Sequence, residues 1–265
     1  DTACRLIQRF SSPGARILDP FCGSGTVLVE AKLLGRVPWG TDLNPLAIWL
    51  AAAKLRRRSP GEMDKVRQLA AECAAYADAR RTRRAGSSRR YTEEDRELFE
   101  PHVLMELDSL RAKLEQQPAD DPARIDLSLV LSALLVKFSR KPGDTANRLG
   151  ERRTAPGFVS RFFLQKAEDF LQRVGEVQAL FPAEAEPGFV AIDDATRLEA
   201  LPALPVDAMV TSPPYAGTYD YFAHHELRLR WLGLNAMAFR RGELGSRASY
   251  RRMPPGQSVR AWSEE

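Results

Sequence analysis

Cysteine is scarce in this chain of 265 residues, which has only Cys4, Cys22 and Cys73. None lies in a Cys-x-x-Cys pair or near a histidine at ligand spacing, so neither a disulfide framework nor a metal site is indicated. Long hydrophobic runs are also missing: no stretch approaches the ~18 to 20 apolar residues of a membrane helix, and the first residues show no secretory pattern. We therefore expect a cytoplasmic protein without a membrane partner.

Lysine is scarce too, because 7 of the 39 basic residues are lysine and 32 are arginine, in a chain of formal net charge +4. Arginine forks bind phosphates and guanine edges better than lysine does, which is one reason to expect a polyanionic partner. An arginine-rich composition is also typical of GC-rich genomes, and both explanations stay open. The chain lacks an initiator Met, which predicts a piece of a longer protein.

The first 54 residues are typical of a β-α-β unit. A short apolar run over 16–19 ends in an acid, a glycine-rich turn follows over 20–26, a helical pattern covers 27–34, and a second apolar run over 37–41 leads into Asp42. A Gly-rich first turn in such a unit indicates a Rossmann-like α/β sheet. We predict that 1–54 form the cofactor-binding half of its core.

Residues 55–188 differ in character, with Ala, Arg, Glu and Leu in helical periodicity and no convincing strand alternation. They predict a large helical insertion that could recognise a target. Apolar runs over 189–192 and 206–210 then resume the sheet. We assign 189–265 to the remainder of the core and a basic C-terminal segment.

The glycine-rich turn favours one kind of ligand. Gly23 and Gly25 let a ligand approach the backbone, and Asp42 can accept hydrogen bonds from both hydroxyls of a ribose. Leu28 stands where a dinucleotide motif needs its third glycine, and no P-loop lysine follows. Asp19 would repel a pyrophosphate but suits a cationic ligand, which favours S-adenosylmethionine.

The segment 211–215, Thr-Ser-Pro-Pro-Tyr, follows the predicted strand over 206–210 at the carboxyl edge of the sheet, where ligands of open α/β sheets bind. Its two prolines lack N–H groups and hold the neighbouring carbonyls as rigid acceptors. Together with the hydroxyl of Ser212 and the ring of Tyr215, they suit a planar base that carries an exocyclic amine.

These residues resemble the S-adenosylmethionine-dependent amino-group DNA methyltransferases, which modify cytosine N4 or adenine N6. Residues 19–26 look like the cofactor motif of that family, and 211–215 look like its catalytic motif. Asp42-Leu43-Asn44-Pro45 and Asp193-Asp194-Ala195-Thr196 extend the resemblance to about 1–54 and 189–225. It implies a class I methyltransferase fold and DNA methylation of the restriction-modification kind.

The resemblance implies roles for individual residues. Asp42 would bind the ribose and Asp194 the adenine amino group. The catalytic residues would be Ser212, Pro213, Pro214 and Tyr215. The cofactor-binding residues would be Asp19, Phe21, Cys22, Gly23, Ser24, Gly25, Thr26, Asp42, Asn44, Asp194 and Ala195.

The chemistry implied is direct methyl transfer to an amine, with cytosine N4 favoured and adenine N6 as the alternative. Carbon-5 methylation of cytosine needs a nucleophilic cysteine after a proline, and none of the three cysteines follows one. A DNA enzyme must flip the base out of the duplex, whereas an RNA enzyme can act on an unpaired base. An RNA methyltransferase and a non-catalytic binding module remain as alternatives.

The family's sheet normally continues beyond the fourth strand, and residues 216–265 are too few and too basic to supply that continuation. We expect a Rossmann-like sheet that is incomplete, either because the chain is truncated or because a partner chain completes it. Arginine-rich segments over 137–144, 148–153 and 227–261 could contact phosphates, and the last holds eight Arg and one Glu. We assign His224 and His225 to polar contacts or solvent rather than to a metal.

Overall fold

The computed structural model describes residues 2–141, 149–150, 153–215, 217–251, 253–254, 257 and 260, without the side chains of 248 and 249. The chain forms two compact units. The sheet unit consists of Asp1–Arg57 and Glu176–Glu265, and the helical unit consists of Arg58–Gly175. The boundaries 55–188 that composition suggests for an insertion stay a prediction.

Within the described residues the helices, in chain order, are α1 (Thr2–Phe10), α2 (Thr26–Leu33), α3 (Pro45–Leu55), α4 (Pro60–Thr82), α5 (Glu93–Leu98), α6 (Pro101–Leu114), α7 (Pro122–Phe138), α8 (Phe158–Ala179), α9 (Tyr221–Leu232), α10 (Met237–Gly242) and α11 (Arg247–Arg251). None of these helices has both the length and the apolar composition that crossing a membrane requires.

In the described part of the chain the sheet has four parallel strands: β1 (Arg16–Asp19), β2 (Val37–Asp42), β3 (Phe189–Ile192) and β4 (Ala208–Met209). Their spatial order is β3-β2-β1-β4, so β1 and β2 are central. This mixed α/β architecture confirms the predicted Rossmann-like fold. Parallel strands place all their carboxyl ends at one edge, which collects the acids that end or follow them.

Strand β4 is shorter than the apolar run over 206–210 predicts. Pro205 precedes that run and two prolines follow it at 213–214, and proline cannot donate to a strand ladder. At its start the N–H of Asp207 donates to the carbonyl of Arg16 at 3.0 Å, and the carboxylate of Asp207 accepts from the N–H of Arg16 at 2.7 Å. The strand is therefore held at an edge of the sheet by few main-chain bonds.

Two glycines let the helices approach the sheet closely. A Cβ at Gly25, whose φ is +82°, would lie 3.0 Å from Ala51 of α3, and a Cβ at Gly40 would collide with Leu28 of α2. Leu28 and Ala51 belong to one buried cluster with Cys22. Glycine is thus required at the N-terminus of α2 and in the middle of β2, which fixes the turn between β1 and α2.

The helical unit contains α4 to α7 and α8 as far as Gly175. A capping box begins α4: Ser59 accepts from the N–H of Glu62, and the carboxylate of Glu62 accepts from the N–H of Ser59 at 2.8 Å. An ion pair between Arg58 and Asp126, 2.7 Å long, has both side chains at most 1% exposed. This unit has its own core and its own buried charges.

Candidate active site

The glycine-rich turn begins at Asp19, the last residue of β1. Asp19 is buried, and its Oδ1 accepts from the N–H of Phe21 at 3.2 Å. Burial raises the pKa of this carboxyl, although its hydrogen bonds oppose that effect. The N–H of Gly25 then donates to the carbonyl of Cys22 at 2.8 Å, which closes the turn before α2 begins. Asp19 is therefore a support beneath the turn.

Asp42, at the end of β2, holds two neighbouring loops at once. Its Oδ2 accepts from the N–H of Gly23 at 2.9 Å, and its Oδ1 accepts from the N–H of Asn44 at 2.8 Å. Burial raises the pKa of Asp42, and these two bonds offset part of that rise. The side chain of Asn44 in turn caps α3 by accepting from the N–H of Leu46. The carboxylate thus fixes the turn after β1 to the turn after β2.

Two adjacent acids follow β3. Asp193 accepts from the N–H of Asp194 and from the N–H of Ala200, each at 2.8 Å. Asp194 accepts from the N–H and the hydroxyl of Thr196 at 2.9 and 2.7 Å, and these bonds lower its pKa. The loop after β3 is therefore shaped by its own carboxylates.

The segment after β4 is tied to β1. The hydroxyl of Thr211 donates to Oδ1 of Asp19 at 2.6 Å. Ser212 is exposed at this edge, and Tyr215 leaves 61% of its surface exposed. The two motifs that the sequence suggests, separated by almost 200 residues, thus meet side by side.

A cavity of about 290 Å³ opens at this edge of the sheet unit. The predicted residues that line it are Phe21, Gly23, Ser24, Asp42, Asn44, Asp194, Ala195, Ser212 and Pro214. The predicted residues outside its lining are Asp19, Cys22, Gly25, Thr26, Pro213 and Tyr215. Cys22 belongs to the core beneath the turn, and Thr26 is exposed at the start of α2. The roles assigned to all fifteen residues stay predictions.

The cavity wall also contains residues that the sequence motifs did not predict. Tyr221 and His225 of α9, together with Phe239 and Gly242 of α10, line the cavity. The spacing of four between Tyr221 and His225 places them on one face of a helix that begins soon after the catalytic motif, and this spacing could have identified them. His224 lies elsewhere, with its ring centroid 6.0 Å from that of Tyr219.

Glu243 joins α9 to the end of α10. Its carboxylate accepts from the N–H of Phe222 at 3.1 Å and also from the N–H of Tyr221. Burial raises the pKa of Glu243, and the two backbone bonds oppose it. Because the side chain of Asp220 accepts from the hydroxyl of Ser246 instead, Glu243 caps the first turn of α9 from 21 positions away.

The charge of the cavity is negative. Asp42, Asp193, Asp194 and Glu243 line it, and the described lining residues include neither lysine nor arginine. Such a wall favours a ligand that carries positive charge. Across the described residues there is no group of three His, Cys, Asp or Glu side chains that could hold a metal ion.

The arginines near the C-terminus lie outside the cavity lining. Arg240, Arg241 and Arg251 are exposed, and the guanidinium of Arg240 lies 5.5 Å from the ring centroid of Phe222. Arg252 lies outside the described residues. So do residues 142–148 and 151–152, which include much of the two arginine-rich segments singled out in the insertion.

Comparisons with known proteins agree with the motifs. The family of N6 and N4 methyltransferases, described as DNA methylase, matches residues 1–53. The type II methyltransferase M.MvaI of Kocuria varians is 37% identical over 60 residues, which are 23% of this chain and 13% of that protein. The type II methyltransferase M.BsoBI of Geobacillus stearothermophilus is 24% identical over 267 aligned residues, which cover 89% of this chain and 50% of that protein.

The chain thus spans at most half the length of these curated relatives. No solved structure gives a significant match. The two motifs and the parallel sheet that brings them together agree with the matches to methyltransferases. The chain is accordingly similar to the amino-group DNA methyltransferases, most clearly over residues 1–53.

Proposed function

We propose that the protein transfers a methyl group from S-adenosylmethionine to the exocyclic amine of a DNA base. One observation carries this proposal: Ser212 and Pro214 of the second motif line the same cavity as Gly23 and Asp42 of the cofactor turn. A methyl donor and an acceptor amine must meet in one space for direct transfer. The names of the curated relatives support DNA as the substrate.

The residues of the cavity fit S-adenosylmethionine. The space around a Cβ built on Gly23 is open, with the nearest atom 4.0 Å away, so the backbone can be approached there. Asp42 retains lone pairs on both oxygens for the ribose hydroxyls, and the acidic wall suits the ammonium and sulfonium charges. Asp194 and Ala195 would hold the adenine. When bound, the cofactor supplies an electrophilic methyl group.

The protein has to make the target amine a better nucleophile. The lone pair of an exocyclic amine is delocalised into the ring of the base. The hydroxyl of Ser212 and the carbonyl of Pro213 would accept the two N–H bonds, which favours a more tetrahedral nitrogen and orients its lone pair. The hydrogen bond from Thr211 to Asp19 would hold this loop in place.

The acceptor base must leave the duplex before it can enter the cavity, and Tyr215 is exposed to stack on its face. A serine before Pro-Pro favours cytosine N4 over adenine N6 in the family that this motif resembles. Unpaired RNA bases would meet the same groups, so RNA serves as the comparison substrate.

The proposal is tested with the chain and any flanking sequence that its gene encodes. Calorimetry measures cofactor binding, and labelled cofactor measures transfer to duplex DNA, single-stranded DNA and tRNA. Nucleoside mass spectrometry then distinguishes N4-methylcytosine from N6-methyladenine. Cofactor-dependent labelling of duplex DNA is expected. Labelling of tRNA alone would favour an RNA enzyme, and cofactor binding without any transfer would favour a non-catalytic module.

A further inference from the structure

A second cavity, of about 240 Å³, lies inside the helical unit at the C-terminal end of α4. Arg80, Arg81 and Arg84 line it together with His102 and Ser109. The sequence around it is strongly basic, since residues 79–92 include six arginines and no acid. Three guanidinium groups at one cavity form a fork-rich surface of the kind that binds phosphate oxygens.

The backbone at Arg84 is unusual. Helix α4 ends with the N–H of Arg83 donating to the carbonyl of Ala79 at 3.1 Å and the N–H of Ala85 donating to the carbonyl of Arg80 at 2.9 Å. Between them Arg84 has φ +51°, in the left-handed region that glycine normally occupies after a helix. Glycine would adopt this conformation without strain. An arginine at such a position points to a role for its side chain.

The charges around the cavity leave Arg84 available. Arg80 donates to the hydroxyl of Ser109 at 3.0 Å and lies 3.4 Å from the carboxylate of Asp108. Arg81 pairs with Asp78 at 3.1 Å, with both side chains at least 40% exposed. Within the part of the chain that the structure describes, Arg84 makes no ion pair.

Among the described lining residues Glu106 is the one acid, and its carboxylate already accepts hydrogen bonds from the backbone. Glu106 accepts from the N–H groups of Gly157, Val159 and Ser160, at 2.5, 3.1 and 3.3 Å. These bonds hold its charge against the start of α8. The dipole of α4 places roughly half a negative charge at its C-terminus, which the full positive charge of Arg84 outweighs. The carbonyls of Ala79 and Arg80 are moreover already bonded.

We propose that Arg80, Arg81 and Arg84 form a binding site for a phosphate of the DNA backbone. The site extends the proposed function, on which its choice of DNA rests, by giving the helical unit a backbone contact that carries no sequence information. Arg84 is the main contact because its guanidinium is not neutralised, and the other two arginines orient the phosphate.

The test compares Arg84→Gly with Arg83→Gly. Both variants remove one arginine, but Arg83 has an ordinary φ of −81° and does not line the cavity. Affinity for a 20-base-pair duplex is measured at several salt concentrations, alongside the melting temperature. We expect Arg84→Gly to raise Tm by about 2–4 °C. Its plot of log affinity against log salt should be shallower by about 0.9, the value for one phosphate contact.

We expect Arg83→Gly to keep the wild-type slope and not to raise Tm. A wild-type slope in Arg84→Gly, or no measurable DNA binding by the wild-type protein, would overturn the proposal. Inorganic phosphate that raises the Tm of the wild type but not of Arg84→Gly, with equal DNA slopes, would show a free-phosphate site and overturn the assignment to DNA. Failure of the proposed function is a separate outcome: the wild-type protein would then transfer no methyl group to DNA, while the salt slopes of the two variants would still differ.

Discussion

Thr211 donates a hydrogen bond of 2.6 Å from its hydroxyl to Oδ1 of Asp19, across 192 positions of sequence. The bond is possible because β4 and β1 are parallel neighbours, so the residues that end or follow them meet at one edge. It joins the turn that would hold a cofactor to the loop that would hold a base. The bond thus ties the two loops to each other.

Thr211→Val should weaken the sheet unit and misplace the second motif. The substitution keeps the shape of the side chain but leaves the buried carboxylate of Asp19 with one donor fewer, which costs about 1–3 kcal/mol. Urea unfolding should show a loss of that size, and methyl transfer should fall. Thr211→Ser restores the donor and should behave like the wild type. Equal stability of the valine variant would contradict the supporting role of this bond.

Asp42→Ala should weaken cofactor binding by about 1–3 kcal/mol, the scale of hydrogen bonds to a charged group. Calorimetry with S-adenosylmethionine or its demethylated product measures this loss directly. The exposed Glu199, which does not line the cavity, provides a control as Glu199→Ala. Unchanged affinity in the Asp42 variant would count against the ribose assignment.

Ser212→Ala and Tyr215→Ala should fail in different ways. Loss of the Ser212 hydroxyl should lower the methyl transfer rate and leave cofactor affinity nearly intact, because the lost bond acts on the amine. Loss of the Tyr215 ring removes a stacking surface worth about 1–3 kcal/mol per base, so affinity for the nucleic acid should fall as well. Single-turnover rates and DNA titrations separate the two effects. Full activity in both variants would refute the site.

The basic surface near the C-terminus should bind DNA in a salt-sensitive way. Arg240, Arg241 and Arg251 are exposed, and Arg252 belongs to the same run of sequence. Neutralising all four should flatten the dependence of DNA affinity on salt concentration. Titrations at several salt concentrations measure the slope. A slope that does not move would assign these arginines to another partner.

The helical unit should lose stability in acid through Asp108. Burial by itself raises the pKa of Asp108, but hydrogen bonds from Ser88, Tyr91 and Arg111 outweigh burial and hold it below its ordinary value. A carboxyl whose pKa is lowered by folding stabilises the folded protein at pH values above its pKa in the unfolded chain, about 3.9. That stability is lost as the pH falls through the pKa of the folded state. Asp108→Asn should be less stable near pH 7 and should lose less stability below pH 4. Urea unfolding at pH 7 and pH 3 checks both parts.

The local pattern of the sequence determined most of the elements around the site. The strand predicted over 16–19 is β1, and the run over 189–192 is β3. Both strands could be predicted because a short buried strand is a continuous apolar run. The turn after β1 could be predicted because it requires glycine at fixed positions. The helical pattern over 27–34 corresponds to α2 (Thr26–Leu33). Such elements are determined by residues that lie close together in the sequence, so the sequence alone is enough to predict them.

Only the tertiary structure decided which of these residues share a space. The sequence suggested that Asp19 and Asp42 both contact the cofactor, whereas the fold buries Asp19 beneath the turn and leaves Asp42 on the cavity wall. It also brought His225 and Glu243 to that wall and strained Arg84 at the end of α4. Chain-local patterns fix backbone conformation, but the strand order and the packing of distant helices decide which side chains meet.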